Sequence, residues 1–262
     1  MRNRIFGGVS AAVIALALAL TPRMLSQTPS QPGAAKAPNG APTPDLTGVW
    51  VNVSKPGQTF NAKEHPSFQP WAEEKWKANR NPADLNGDGL WQMDPAVVSC
   101  FPTGMPRVMT SPTPFEIFQV PGRVLILIER GNELRQIYTD GRKHSEDPDP
   151  SYGGESVGWW EGVTLVVDTI GLNDRTWLDR TGHPHSDALH IVERFRRVSH
   201  DRLEVDFRFE DPKAFTKPWS GQLVYKFEPG WDIKEYVNCE DHMVRGEIWF
   251  SDRPRPAAGV GK

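Results

Sequence analysis

Glu193 is the residue on which most of the chemistry available to this chain would turn. It lies in the run His190-Ile191-Val192-Glu193-Arg194-Phe195, where strand alternation puts it on one face with Ile191 and Phe195. A carboxyl among apolar neighbours is what a general acid or base near neutral pH requires. Arg135 is a second polar residue on an apolar face, beside Ile128 and Ile137, and there it would bind a carboxylate or stabilise an enolate. His185, followed by Ser186, is the candidate acid–base partner. The remaining candidates are ligand contacts: Arg107, Gln136 and Tyr138 through polar groups, and Trp160, Trp177 and Phe195 through aromatic surface. The plainer reading stands beside these: an internal Glu–Arg pair often does no more than satisfy itself.

Other chemistries find little footing. Gly154-Glu155-Ser156-Val157-Gly158 fits Gly-x-Ser-x-Gly to the letter, but it starts a strand and leads to no helix, so the nucleophile elbow is missing. His183-Pro184-His185, with Asp187 and His190 after it, offers imidazoles without the three or four converging ligands of a metal site. Asp84-Leu85-Asn86-Gly87-Asp88-Gly89 begins like a calcium loop, but Pro95 occupies the twelfth position and Asp94 falls one residue early. Phosphate loops, dinucleotide fingerprints and haem-attachment motifs are absent from the sequence, and neither cofactor nor metal is expected. A net charge of −3 leaves no nucleic-acid footprint.

The elements that must position these residues are strands. Twenty-four Pro and 23 Gly in 262 residues signal frequent chain reversals, and 10 Trp with 12 Phe supply an aromatic core. Residues 155–169 read as a hairpin with its turn at Glu161-Gly162, pairing Trp160 with Val163 and Gly158 with Leu165. It is apolar on both faces and so belongs in the middle of a wall. Strands Phe115–Val120, Arg123–Arg130 and Glu133–Tyr138 precede it, the last two joined at Gly131-Asn132 with Glu129 opposite Leu134. Strands Ala188–Val198 and Arg202–Glu210 follow. A three-residue connection there sets Arg196 opposite Glu204, Arg194 opposite Asp206, Phe195 opposite Val205 and Ile191 opposite Phe209. Val49–Val53, Gln222–Phe227, Ile233–Val237 and Gly246–Phe250 complete about ten strands, and a short helix falls within 67–80, with Pro70 in its first turn and Trp71, Ala72, Lys75 and Trp76 on one face. The economical closure is an all-β, meandering antiparallel barrel.

The N-terminus carries Arg2 and Arg4 ahead of an apolar stretch from Ile5 to Leu20, an export signal or an uncleaved anchor over residues 1–23. Residues 24–44 read as a disordered linker, 45–253 as one barrel domain and 254–262 as a disordered tail. The pair Cys100 and Cys239 fits a disulfide in an exported protein, so the expected compartment is periplasmic or secreted, with membrane contact only if the leader stays attached.

Two resemblances add to this. Thr47-Gly48-Val49-Trp50 is similar to the Gly-x-Trp opening of lipocalin/calycin barrels, which implies a lipocalin-like barrel with Trp50 plugging its closed end. The ordered run Cys100-x-Pro-x-Gly-x-Pro-Arg107, Tyr138-x-Asp-Gly-Arg142, Ser156-x-Gly-x-Trp-Glu-Gly-x-Thr-Leu-Val-Val, Pro184-His185-Ser186 and Glu193-Arg-Phe195 resembles a family of exported bacterial proteins without established activity; that family has Asp where this chain has Val163. Three functions follow as expectations: a barrel binding a small apolar or aromatic molecule inside, a cofactor-free acid–base enzyme (lyase, hydratase, isomerase or hydrolase) on the same barrel, or a structural envelope protein with a packed interior.

Overall fold

The computed structural model describes residues 44–54, 60–79 and 94–236. Nine strands close into a barrel in sequence order: β1 (Gly48–Asn52), β2 (Phe115–Val120), β3 (Arg123–Ile128), β4 (Glu133–Tyr138), β5 (Glu155–Glu161), β6 (Thr164–Ile170), β7 (His190–Ser199), β8 (Arg202–Glu210) and β9 (Trp219–Phe227). Helix α1 (Pro70–Asn79) and the short α2 (Pro95–Val98) precede β2. The all-β barrel with a short helix near its start is therefore as the sequence implied.

The meander is not wholly antiparallel. An odd number of strands that closes with β1 antiparallel to β9 must contain a parallel pair, and that pair is β4–β5. The chain from Thr139 to Gly154 carries it back across the wall. This pair is also the weakest seam, joined only at Ile137↔Ser156 and Tyr138↔Val157.

Three turns differ from expectation, and in each the facing of side chains is kept. The central hairpin turns at Gly162-Val163, pairing Glu161 with Thr164 and Trp160 with Leu165. Gly162 has φ 60° and takes the first loop position, the place where a type II′ turn wants glycine. Between β3 and β4 a 3₁₀ turn, Arg130–Asn132, uses residues expected to pair, so Leu127 rather than Glu129 faces Leu134. A two-residue offset does not change which face a residue occupies. Between β7 and β8 the connection is two residues plus a bulge, with Ser199 opposite Arg202 and Val198 unpaired. The bulge restores the expected register, and all four pairs (Arg196↔Glu204, Arg194↔Asp206, Phe195↔Val205, Ile191↔Phe209) are present.

Residues 233–236 add no strand. They lie beside the β3–β4 connection through side chains, with Lys234 N donating to Glu129 Oε2 (2.9 Å) and Tyr236 N to Asn132 Oδ1 (3.1 Å). Residues 237–262, including the candidate strand 246–250, lie outside the described residues, as does the segment 1–43.

The core fills the barrel axis. Fully buried Trp50, Phe195, Phe207, Phe209 and Tyr225 meet Ile117, Ile126, Ile191 and Leu223 across it. Trp50 is fully buried: its Nε1 donates to Leu46 O (2.9 Å), its ring lies 5.1 Å from Phe227, and the Arg197 guanidinium sits over both rings. Phe60 packs against Phe207, Phe209 and Trp219. Helix α1 buries Ala72 and is held by Trp76 Nε1 to Thr181 O and Asn79 Nδ2 to Gly182 O. Trp71, expected on its packing face, is 40% exposed, with Nε1 on Lys213 O.

Candidate functional site

Glu193 and Arg135 meet inside the barrel. Alternation along β7 turns Glu193 inward opposite Phe207, and alternation along β4 turns Arg135 inward opposite Ile126. Glu193 is 0% exposed. Arg135 grips it end-on: Nη1 donates to Oε1 (2.9 Å) and Nη2 to Oε2. Nη2 also reaches Ser156 Oγ (3.3 Å) and Thr169 Oγ1 (3.1 Å), which are themselves 2.9 Å apart. Two opposite charges and two hydroxyls thus form one buried network. One donor is left over: Arg135 Nε is buried with no hydrogen-bond partner among the described residues.

Arg135 also lines an opening beside this network, although its Nε is sealed from it. Beside the short β4–β5 seam lies a cavity of about 490 Å3. Its floor reaches inward-facing Ile128, Arg135 and Ser156, with Met105 and Val108 alongside, and acids from the 145–155 segment line it. Gln136 and Tyr138 line it as well, but they belong to the outer face of β4; their expected place inside the barrel is corrected by the same alternation that sends Arg135 inward. Tyr138 is stacked by the Arg142 guanidinium at 3.8 Å, and Arg142 is bridged to Asp140 (2.6 Å).

The other expected residues are not part of this assembly. His185 is 2% exposed, accepts or donates to Thr176 Oγ1 through Nε2 (3.1 Å), and meets Ser186 O through Nδ1 (3.1 Å). Burial holds its pKa below the usual imidazole value, so it is a neutral, interior group with both ring nitrogens engaged. Ser186 is bound to Asp211, which accepts from its amide and its hydroxyl at 2.7 Å. This motif therefore stitches a loop to the end of β8. Arg107 is 1% exposed and forks onto Asp94 Oδ2 (2.7 and 3.1 Å), with Thr110 as a second partner. Burial lowers its pKa, partly offset by Asp94. Trp160 and Phe195 belong to the packed core, and Trp177 is buried in the loop after β6. The expected axial space for an apolar ligand is thus occupied by the protein's own side chains.

Sequence reasoning overlooked Thr169 and Glu133 and discounted Ser156, which it weighed only as a nucleophile. Ser156 and Thr169 complete the Arg135 network; alternation puts Ser156 on one face with Trp160, but a hairpin read as apolar on both faces gave no sign of which face is inside. Glu133 accepts the Thr103 and Gly104 amides, and burial raises its pKa against those hydrogen bonds. Outside the wall, His144 bridges Glu155 (3.0 Å) and Asp168 (3.1 Å), and His190 meets Asp168 at 2.9 Å. His183 pairs with Asp179 (2.9 Å) and lies 3.3 Å from His65. No group of three or more His, Cys, Asp or Glu side chains suited to a metal occurs among the described residues. The 84–89 segment and Cys239 lie outside them.

Fold and site together define a closed nine-strand β-barrel with a filled axis and a pocket in its wall. No protein-family model matches the chain, and no curated protein matches it. Among solved structures it is similar to a secretary abundant heat soluble (SAHS) protein from Ramazzottius varieornatus, at 11% identity and a TM-score of 0.32, over 70% of this chain and 95% of that one.

Proposed function

We propose that this protein binds a small molecule through its wall, in the cavity at the β4–β5 seam, and does not carry one along its axis. The observation that supports this most is the cavity itself, about 490 Å3 and within the size range of small-molecule sites, with the inward-facing Arg135 and Ser156 among its lining residues. Binding is preferred to acid–base catalysis because both Glu193 oxygens are engaged by Arg135 and His185 belongs to a different network. The filled axis favours the second reading, a structural barrel, which the same experiment separates. Export is part of the proposal, supported by the basic and apolar leader and by the pairing proposed for Cys100 with Cys239.

The test uses Gly153→Trp. Gly153 lines the cavity, and a Cβ built there meets nothing within 4 Å. Native mass spectrometry of the full chain from the cells that make it should show an adduct that the variant lacks at unchanged Tm. An adduct that survives the substitution, or no adduct in either protein, overturns the wall site.

A further inference from the structure

We infer that His65 and His183 form a two-imidazole site for a tetrahedral divalent metal ion of the zinc type, where the 60–68 segment meets the loop after β6. The pair lines no part of the wall cavity, and the inference goes beyond the function proposed above.

The placement of protons comes first. His183 Nδ1 lies 2.9 Å from Asp179 Oδ2 and 3.2 Å from Thr181 Oγ1. The Thr181 hydroxyl gives its one proton to Asp179 Oδ1 (2.7 Å) and has none for the ring. His183 Nδ1 therefore donates to the Asp179 carboxylate. On His65, Nδ1 lies 2.9 Å from Pro66 O, which can only accept, so this nitrogen too carries a proton. A neutral imidazole has a single N–H, and both Nε2 atoms are left with bare lone pairs. They face each other at 3.3 Å. Two acceptors at that distance need a cation between them, either a third proton or a metal ion.

The ring geometry favours the metal. With Zn–N bonds of about 2.0–2.1 Å, nitrogens 3.3 Å apart subtend roughly 104–111° at the ion, close to the tetrahedral angle. Carried on to the ring centres, that arrangement sets the centroids about 5.1 Å apart, against about 5.6 Å for a straight N–H···N bond. They lie 5.0 Å apart. A square-planar copper or nickel ion would draw the nitrogens to about 2.8–2.9 Å.

The surroundings fit the same role. Asp179 is 0% exposed and supplies the carboxylate that orients a metal-binding histidine from behind. Trp76 packs against both rings, with centroids 4.3 Å from His65 and 5.6 Å from His183. His65 is exposed, and nearby Glu64 and Ser67 line a surface groove of about 750 Å3, so an ion reaches the pair from solvent. Two protein ligands leave two positions of the tetrahedron for water or a small molecule.

Calorimetric titration of Zn2+ into the untagged full chain, stripped of metal with a chelator and held at about pH 7.5, tests the site. The chain should show a binding event that depends on His65. His65→Gln removes the exposed ligand, and His65→Phe keeps a ring against Trp76 and Phe68 without its nitrogens. Each should weaken the event more than about tenfold with an unchanged circular dichroism spectrum, and Asp179→Asn should weaken it about 10–100-fold. His190→Gln, which alters the separate pair with Asp168, should leave it intact. Excess Mg2+ should not compete, because a hard cation selects oxygen donors. No zinc event, or one that both His65 variants leave unchanged, overturns the site. An event lost with His190→Gln and kept with His65→Gln overturns it as well, and competition by Mg2+ overturns the nitrogen donor set.

Discussion

Replacing Arg135 and Glu193 singly and together tests the central feature of the interior. The side chains are 5% and 0% exposed, so solvent screens the pair little. Arg135→Met leaves a carboxylate in the core with no donor, and Glu193→Leu leaves a guanidinium facing two hydroxyls. Breaking one side of a buried pair costs about 3–5 kcal/mol, because the survivor is an uncompensated charge. The double variant removes both charges, and Ser156 and Thr169 still bond each other at 2.9 Å. It should therefore lie within about 2 kcal/mol of the parent, or above it. The two single costs then exceed the double cost by several kcal/mol, far outside the ~0.5 kcal/mol expected of independent sites. With a urea m-value of about 3 kcal/mol/M for a chain of this size, each single variant should lose about 1–1.7 M in its unfolding midpoint. Tryptophan fluorescence in urea at one pH reads all four proteins. Single variants that each cost under about 1 kcal/mol, or costs that add, would refute the description of this pair as desolvated and mutually dependent.

Further outcomes are expected elsewhere in the fold. His190 is hydrogen-bonded to Asp168, which raises its pKa above the ordinary value despite partial burial. Its contribution is full below about pH 6.5 and is lost as pH rises through the raised folded value, so His190→Gln should flatten the stability profile on that alkaline side. His185, whose pKa burial depresses, acts oppositely: stability falls as pH drops below about 6.5, and chemical denaturation between about pH 5 and 8 should show both flanks. If Cys100 and Cys239 are bridged as proposed, the oxidised chain should be about 5 kcal/mol more stable than the reduced one on the chain-entropy model. Non-reducing peptide mapping that finds two free thiols would end that proposal. Gly162→Ala, which forces a side chain into φ 60°, should cost about 1 kcal/mol in urea while leaving the mass-spectrometric adduct intact.

The parts of this molecule that a sequence reader can reach are those governed by the two-residue period of strands. Glu193 and Arg135 point inward because each sits between apolar residues of like parity, and three turns with unexpected geometry left that parity unchanged. The β7–β8 register was legible because a slip by one residue would have turned Arg194 and Arg196 onto the apolar face, a cost no local turn preference offsets. Gln136 and Tyr138 were open to the same test, since they alternate with Arg135, and their outward placement follows from it. What parity cannot supply is which strands are neighbours. The β4–β5 seam arises from closing an odd number of strands, a property of the whole ring that no local window of sequence encodes. The wall cavity lies beside that two-residue pairing, and Arg135 Nε is left without a partner because Glu193 is met end-on. The Cys100–Arg107 and Pro184–Ser186 stretches looked chemical because they concentrate Arg, His and Ser; in the fold, Arg107 clamps Asp94 and Ser186 clamps Asp211. A polar residue in a loop that crosses a barrel end must satisfy buried backbone and side-chain groups there, and that demand selects the same residue types as catalysis does. Distinguishing the two needs the partner of each polar atom, and Arg135 Nε stands out because it is the buried side-chain donor for which none is found among the described residues.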